Sequence, residues 1–386
     1  MKQKRIIVFS EDFPPTSGGI AQWAAGVAKS IHQMGHHLRV VTRFISDNHA
    51  GYSSKWKFPV HFMKGNHWKK LRSWYCYTSI KNLYHEGFHP DLIIATTWNF
   101  ARGITNLTKK KGTKLILIVH GLEVTRKMSL IKRKWLSKTL MKCDLVIAVS
   151  NFTRSQILEK YELDLKNIFV FPNGVDISIF NSRMDSLPLK KTYQLSNEKI
   201  ILTLARVVER KGHDQVIKAL PKVLKKFPNL KYIISGDWNT DYYLKLLKLI
   251  KELNLENVVI FTGYVSPDEI QQFYNLCDVY IMPSREIEET GDTEGFGITY
   301  LEANACQKPV IGGNSGGVSD AVVDGVTGFL VNPMDTDEIA EKLILLLSDP
   351  QLSHQLGKQG RERIEKSYTW DRISENILEK IFQEGN

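Results

Sequence analysis

KIILTLARVVERKGHD, residues 199–214, reads as a strand, a polar turn and the opening of a helix. Its apolar run is short and lacks polar alternation, the pattern of a parallel strand covered on both faces. Five runs of the same kind follow it at helix-length intervals: KYIISGD, VVIFTGYV, DVYIMPS, PVIGGN and GFLVNP. Upstream of the polar segment 181–197 lie seven more, RIIVFS, LRVVTR, PVHFM, DLIIAT, KLILIVHG, DLVIAVS and IFVFPNGV, with helical spacing between them at 21–34 and 131–142. Repeated strand–helix units of this kind predict an α/β chain with two doubly wound, Rossmann-like domains facing a central cleft, residues 1–180 and 181–370. A C-terminal helix over about 370–386 is free to pack back on the first. A length of 386 residues suits two domains better than one core.

Composition narrows the class. With 42% hydrophobic and 24% charged residues the chain is globular. The apolar run 6–9 is too short for the core of a signal peptide, and no stretch approaches the eighteen or so apolar residues of a membrane span, so any membrane contact is expected to be peripheral. Cys76, Cys143, Cys277 and Cys306 are scattered, with no C-x-x-C pair, and are read as reduced thiols of a cytoplasmic protein. Charge is uneven: residues 1–180 hold 28 Lys and Arg against 11 Asp and Glu, net +17, and the remainder is net −6.

In open parallel sheets ligands bind beyond the carboxyl ends of the strands, so the residues just past each run are the candidates. After the first strand come Gly18 and Gly19, where a ligand can approach the backbone and a helix N-terminus offers free N–H groups; two turn glycines are the plainer reading. KLILIVHG ends in His120, either a site imidazole or a satisfied core histidine. Arg206 and Lys211 flank the turn after KIILTL and suit a diphosphate, although solvated charges also fit. Gly236 in SGD, and Tyr264 and Val265 in GYVS, stand where backbone groups line a base pocket. Finally, in EETGDTEGFGITYLEA, Glu294 precedes a helix opened by Gly295, Phe296, Gly297 and Ile298, and Glu302 lies inside it, roughly 10 Å along the axis at 1.5 Å per residue. Phosphates would meet the helix end, Glu294 the sugar hydroxyls and Glu302 both ribose hydroxyls.

EGFGITYLE resembles the E-x7-E motif of retaining family 4 glycosyltransferases with the GT-B fold. The likeness extends to PPTSGGI, VHGLE, FPNGVD, LARVVERKG and ACQKPVIGGNSGG, and so over nearly the whole chain. DFPPTSGGI and EGFGITYLEA look most like the phosphatidylinositol-mannoside mannosyltransferase branch, which uses GDP-mannose. The resemblance implies Gly19 at the donor diphosphate, His120 near the transferred sugar, Arg206 and Lys211 on the diphosphate, Glu294 on the sugar and Glu302 on the ribose. It also implies retention at the anomeric carbon, no metal and no cofactor beyond the nucleotide sugar. In ACQKP, Gln307 stands where the family more usually has glycine, at a helix end.

A GT-B enzyme of another class, an epimerase or phosphorylase, is a weaker fit, because E-x7-E argues against the first and the lack of a cofactor-lysine motif against the second. A nucleic-acid binder is the non-enzymatic alternative, but the lysines gather in no known motif and no nucleic-acid partner is expected. Asp335-Thr336-Asp337 has D-x-D spacing but follows a proline and opens a helix, so capping is expected there rather than metal binding. The basic, apolar-studded segments 126–142 and 55–81, the latter with Trp56, Phe58, Trp68, Trp74 and Tyr75, suggest docking on an anionic membrane surface at the inner face of the cell membrane, towards a glycan or lipid-linked acceptor.

Overall fold

All thirteen apolar runs form strands, and every pairing between them is parallel. The computed structural model describes residues 2–44, 54–63, 71–161, 166–238 and 241–383. The chain divides into two units, residues 1–174 with 370–386 and residues 175–369.

The first unit holds β1 (Arg5–Ser10), β2 (His37–Arg43), β3 (Val60–Met63), β4 (Leu92–Ala95), β5 (Lys114–Val119), β6 (Leu145–Ala148) and β7 (Ile168–Val170), in the order β3-β2-β1-β4-β5-β6-β7. Its central strands are apolar throughout because helices cover both faces: Ile6 to Phe9, Leu92 to Ala95 and Leu115 to Val119 have no exposed surface. Each such Ile or Leu contributes about 1.5–3 kcal/mol by leaving water. β7 is shorter than IFVFPNGV suggests, since Pro172 has no N–H to give to a ladder. The last helix, Trp370–Gln383, packs on the helix Gly19–Gln33. A Cβ at Gly26 would stand 2.4 Å from the Trp370 ring and one at Gly174 2.7 Å from it, so both positions are held to hydrogen by that indole.

The second unit holds β8 (Lys199–Leu204), β9 (Leu230–Ser235), β10 (Val259–Gly263), β11 (Val279–Met282), β12 (Val310–Gly313) and β13 (Gly328–Val331), in the order β10-β9-β8-β11-β12-β13. In each sheet the strand order reverses once near its centre, between β1 and β4 and between β8 and β11. The loops leaving the strands at such a point run in opposite directions and open a crevice. The glycine loop follows β1, the Arg206–Lys211 turn follows β8, and Glu294 lies in the connection after β11.

Candidate active site

At the β8/β11 crevice the turn after β8 is a single 3-10 turn, Glu209–Lys211, closed by Gly212 at φ +76° before the helix His213–Leu224. A Cβ at Gly212 would sit 2.2 Å from the Pro283 carbonyl oxygen, so only glycine lets the turn lie so close to the loop after β11. The tight turn brings two successive side chains, Arg210 and Lys211, to the same partner. Arg210 Nη1 donates to Glu294 Oε2 at 2.6 Å and Lys211 Nζ to the same oxygen at 2.5 Å. Arg210 Nε is also 3.6 Å from Asp292.

All three groups are largely withdrawn from water, with 7%, 10% and 13% of the Arg210, Lys211 and Glu294 side chains exposed. Burial opposes ionisation of Glu294, but Lys211 and Arg210 outweigh it and hold the carboxyl at about 2. Burial draws the Lys211 ammonium down to about 8 against the pull of Glu294. Near neutral pH both are therefore charged. Arg206 is exposed at the strand end and adds its own field at Lys211.

Glu294 is also pinned through its backbone, whose carbonyl accepts the Gly317 N–H at 2.8 Å. Beyond buried Gly295 and Phe296, Gly297 caps the helix Ile298–Ala305 at φ +94° with no side chain over the end, so the helix opens one residue later than the glycine pair suggests. The Phe296 ring stacks on Tyr368 at 6.5 Å. Glu302 is 2% exposed, and its Oε2 accepts the Tyr274 hydroxyl at 2.6 Å. At the ends of β9 and β10, Gly236 lies where a Cβ would be 2.1 Å from the Ala205 carbonyl oxygen, and its N–H donates to the Gly263 carbonyl. Tyr264 stands 57% exposed beside buried Val265.

In the first unit Gly18 caps the helix Gly19–Gln33 at φ +121°, with nothing within 4 Å of where a Cβ would be and no acidic side chain in the first turn, which leaves the helix end open to an anion. His120 follows β5, its backbone N–H donating to Glu123 Oε1 at 2.6 Å. Its Nε2 is buried without a partner, and burial lowers the imidazole to about 4, so the ring is neutral near pH 7. Trp23 meets it edge-on at 6.1 Å.

The structure thus gathers Lys211 and Glu294 into one cluster, with Arg206 nearby. Gly18, Gly19 and His120 belong to the first unit. Sequence reasoning missed Arg210, which in ERKG looks like any solvated arginine; only the 3-10 turn aims it alongside its neighbour. Asp335 accepts the Asp337 and Glu338 N–H groups at 3.0 Å as the cap of the helix Thr336–Ser348, and Asp337 pairs with Lys222 at 2.9 Å. The four cysteines are buried and unbridged.

Two parallel sheets, each with a reversal crevice, and a cation–carboxylate cluster at one of them fit a nucleotide-sugar transferase, and comparison with known proteins supplies the class. Residues 17–179 match the model of Glycosyltransferase Family 4 and residues 188–363 that of Glycosyl transferases group 1. The chain belongs to the glycosyltransferases that join these two domains, and its fold is GT-B. Among curated relatives, the GDP-mannose-dependent α-(1-6)-phosphatidylinositol monomannoside mannosyltransferase of Mycolicibacterium smegmatis is 29% identical over 95% of both chains. The Corynebacterium glutamicum enzyme acting on the monoacylated acceptor is 27% identical over 97% of both. The crystal structure of a glycosyltransferase from Rickettsia africae superimposes with a TM-score of 0.83 at 23% identity, covering 99% of this chain and 98% of that one.

Proposed function

We propose that this glycosyltransferase moves mannose from GDP-mannose to a hydroxyl of a glycan or lipid-linked acceptor of the phosphatidylinositol-mannoside kind, with retention at the anomeric carbon and without a metal. The observation that carries the donor reading is the Arg210–Lys211–Glu294 cluster beside the β8/β11 reversal; the names of the mannosyltransferase relatives support the choice of sugar and acceptor. Arg210 and Lys211 face the carboxylates of Asp292 and Glu294 there, and Arg206 stands exposed at the strand end as a further cation for a diphosphate.

In this reading Lys211 and Arg206 hold the diphosphate, with the N–H groups at Gly295 to Ile298 assisting. Glu294 hydrogen-bonds the sugar while Arg210 keeps its carboxylate in place. Gly236, Tyr264 and Val265 line the base, and Glu302 takes the ribose. As the bond from the anomeric carbon to the diphosphate oxygen breaks, the acceptor hydroxyl attacks from the same face and passes its proton to the departing oxygen. The new glycosidic bond replaces the old one, and no side chain serves as base. The protein's part is to stabilise the growing negative charge with cations already in position. In the first unit, neutral His120 is suited to hydrogen-bond a sugar hydroxyl through Nε2, and the open helix end at Gly18 and Gly19 to meet an anion.

The test is a panel of nucleotide sugars read by release of the nucleotide diphosphate, with and without EDTA. GDP release specific to GDP-mannose and undiminished by EDTA is expected. Preference for another donor overturns the sugar assignment, and activity lost in EDTA and restored by Mg²⁺ or Mn²⁺ overturns the metal-free mechanism. Glu294→Ala is expected to abolish transfer while GDP still binds; loss of both would remove Glu294 from the sugar.

Among the described residues no helix is long and apolar enough to cross a membrane. The proposed route to a lipid acceptor is peripheral, through the helix Leu130–Lys142 of the basic first unit. Leu130, Ile131 and Trp135 are exposed there at 81%, 63% and 40%, between exposed Lys132, Lys134 and Lys138, while Leu136 and Leu140 turn into the core. In the companion segment Trp74 is 57% exposed, and Trp68 lies outside the described residues.

A further inference from the structure

Arg285, three residues beyond β11, is 8% exposed. Its Nη1 donates to Asp214 Oδ1 at 2.8 Å and its Nη2 to Asp214 Oδ2 at 3.3 Å and Glu209 Oε1 at 3.4 Å. Asp214 also accepts the Tyr242 hydroxyl at 2.7 Å. Glu209 and Asp214 stand on either side of Arg210 and Lys211, so one guanidinium grips both ends of the segment that carries the two site cations. The backbone adds to the grip: the Arg285 N–H donates to the Arg210 carbonyl at 2.8 Å, and Gly212 lies against the Pro283 carbonyl. These contacts tie the turn after β8 to the loop after β11, the two sides of the reversal. Two carboxylates already occupy Arg285, so it is not placed to receive a phosphate itself.

We propose that Arg285 is a positioning residue, fixing the Glu209–Asp214 turn so that Arg210 and Lys211 meet Glu294 and the Lys211 ammonium stands where charge develops on the leaving diphosphate. This rests on the donor-site reading above. Lysine is not an equivalent here, because one ammonium cannot span both oxygens of Asp214 and reach Glu209 as a planar guanidinium does. Since displacement of a catalytic group by about 1 Å costs up to roughly 100-fold in rate, turnover is the quantity that Arg285 controls.

The experiment measures kcat, donor KM, GDP dissociation constant and thermal unfolding for Arg285→Ala and Arg285→Lys, each alone and combined with Lys211→Ala. The expected result is a fall in kcat of roughly 10- to 100-fold for Arg285→Ala, a GDP affinity changed by less than about threefold, partial recovery with Arg285→Lys, and little further loss once Lys211 is gone, the non-additivity of two residues acting through one contact. Full turnover in Arg285→Ala overturns the proposal, as does an equal loss with and without Lys211. Should Arg285→Ala fail to fold, Arg285→Lys and Glu209→Gln carry the same comparison. If Lys211→Ala and Glu294→Ala both keep full turnover the donor-site reading itself fails; if they lose it and the Arg285 variants do not, only this inference does.

Discussion

Lys211 makes pH a probe of the site. Its ammonium loses its proton at about 8, and the charged form is the one that can stabilise a leaving diphosphate, so kcat/KM is expected to fall as pH rises through that value. Lys211→Arg keeps the charge and should move the alkaline fall to higher pH in whatever activity it retains. A wild-type profile flat to about pH 9.5 would return Lys211 to a structural role. Gln307 offers a test of stability. It follows the helix Ile298–Ala305 at φ +57°, a left-handed position that costs a side-chain-bearing residue about 1 kcal/mol, so Gln307→Gly should raise unfolding stability by up to that amount in a denaturant titration. Unchanged or lower stability would mean that the Gln307 side chain makes compensating contacts. The family likeness marked this position by its departure from glycine; its backbone angle could not be seen until the helix end was.

The helix Leu130–Lys142 divides its apolar residues between core and solvent, which gives it a test of its own. Sedimentation with anionic vesicles should bind the wild-type protein at low salt and release it at high salt, and Leu130→Gln with Ile131→Gln should weaken binding without altering the fold. Equal binding to neutral vesicles, or none to either, would leave a soluble acceptor as the better reading. The contact of the helix Trp370–Gln383 with the helix Gly19–Gln33 is tested by Gly26→Val, expected to cost about 1–3 kcal/mol in unfolding because the added side chain would overlap the Trp370 indole. Strands were legible at this scale because parallel strands covered on both faces are nearly unbroken apolar runs. For the last helix the sequence offered the first unit as a place to pack but not the helix it meets there, since an amphipathic stripe states that a face is buried without naming what buries it.

Over the whole molecule, the two-sheet α/β class followed from the order of strand and helix patterns, and the residues past the strand ends were singled out by the rule that ligands gather there. What stayed hidden was convergence across sequence distance: 84 residues separate Arg210 from Glu294, and 71 separate Arg285 from Asp214. Such pairs arise from the sheet's strand order, which no local window contains. The chain leaves the first unit at Gly174 and returns to it only at Trp370, after the whole of the second unit. On the ribosome, therefore, the domain begun first is completed last. Its first 174 residues emerge with Gly26 and Gly174 bare of the indole that covers them, and must wait through nearly two hundred codons while the second unit, whose residues are contiguous, is free to fold. Nascent chains ending at residue 369, held on the ribosome by a linker long enough to clear the exit tunnel, should accordingly resist protease over 175–369 before they do over 1–174. Protection arising in the reverse order would show that the first sheet closes without its last helix.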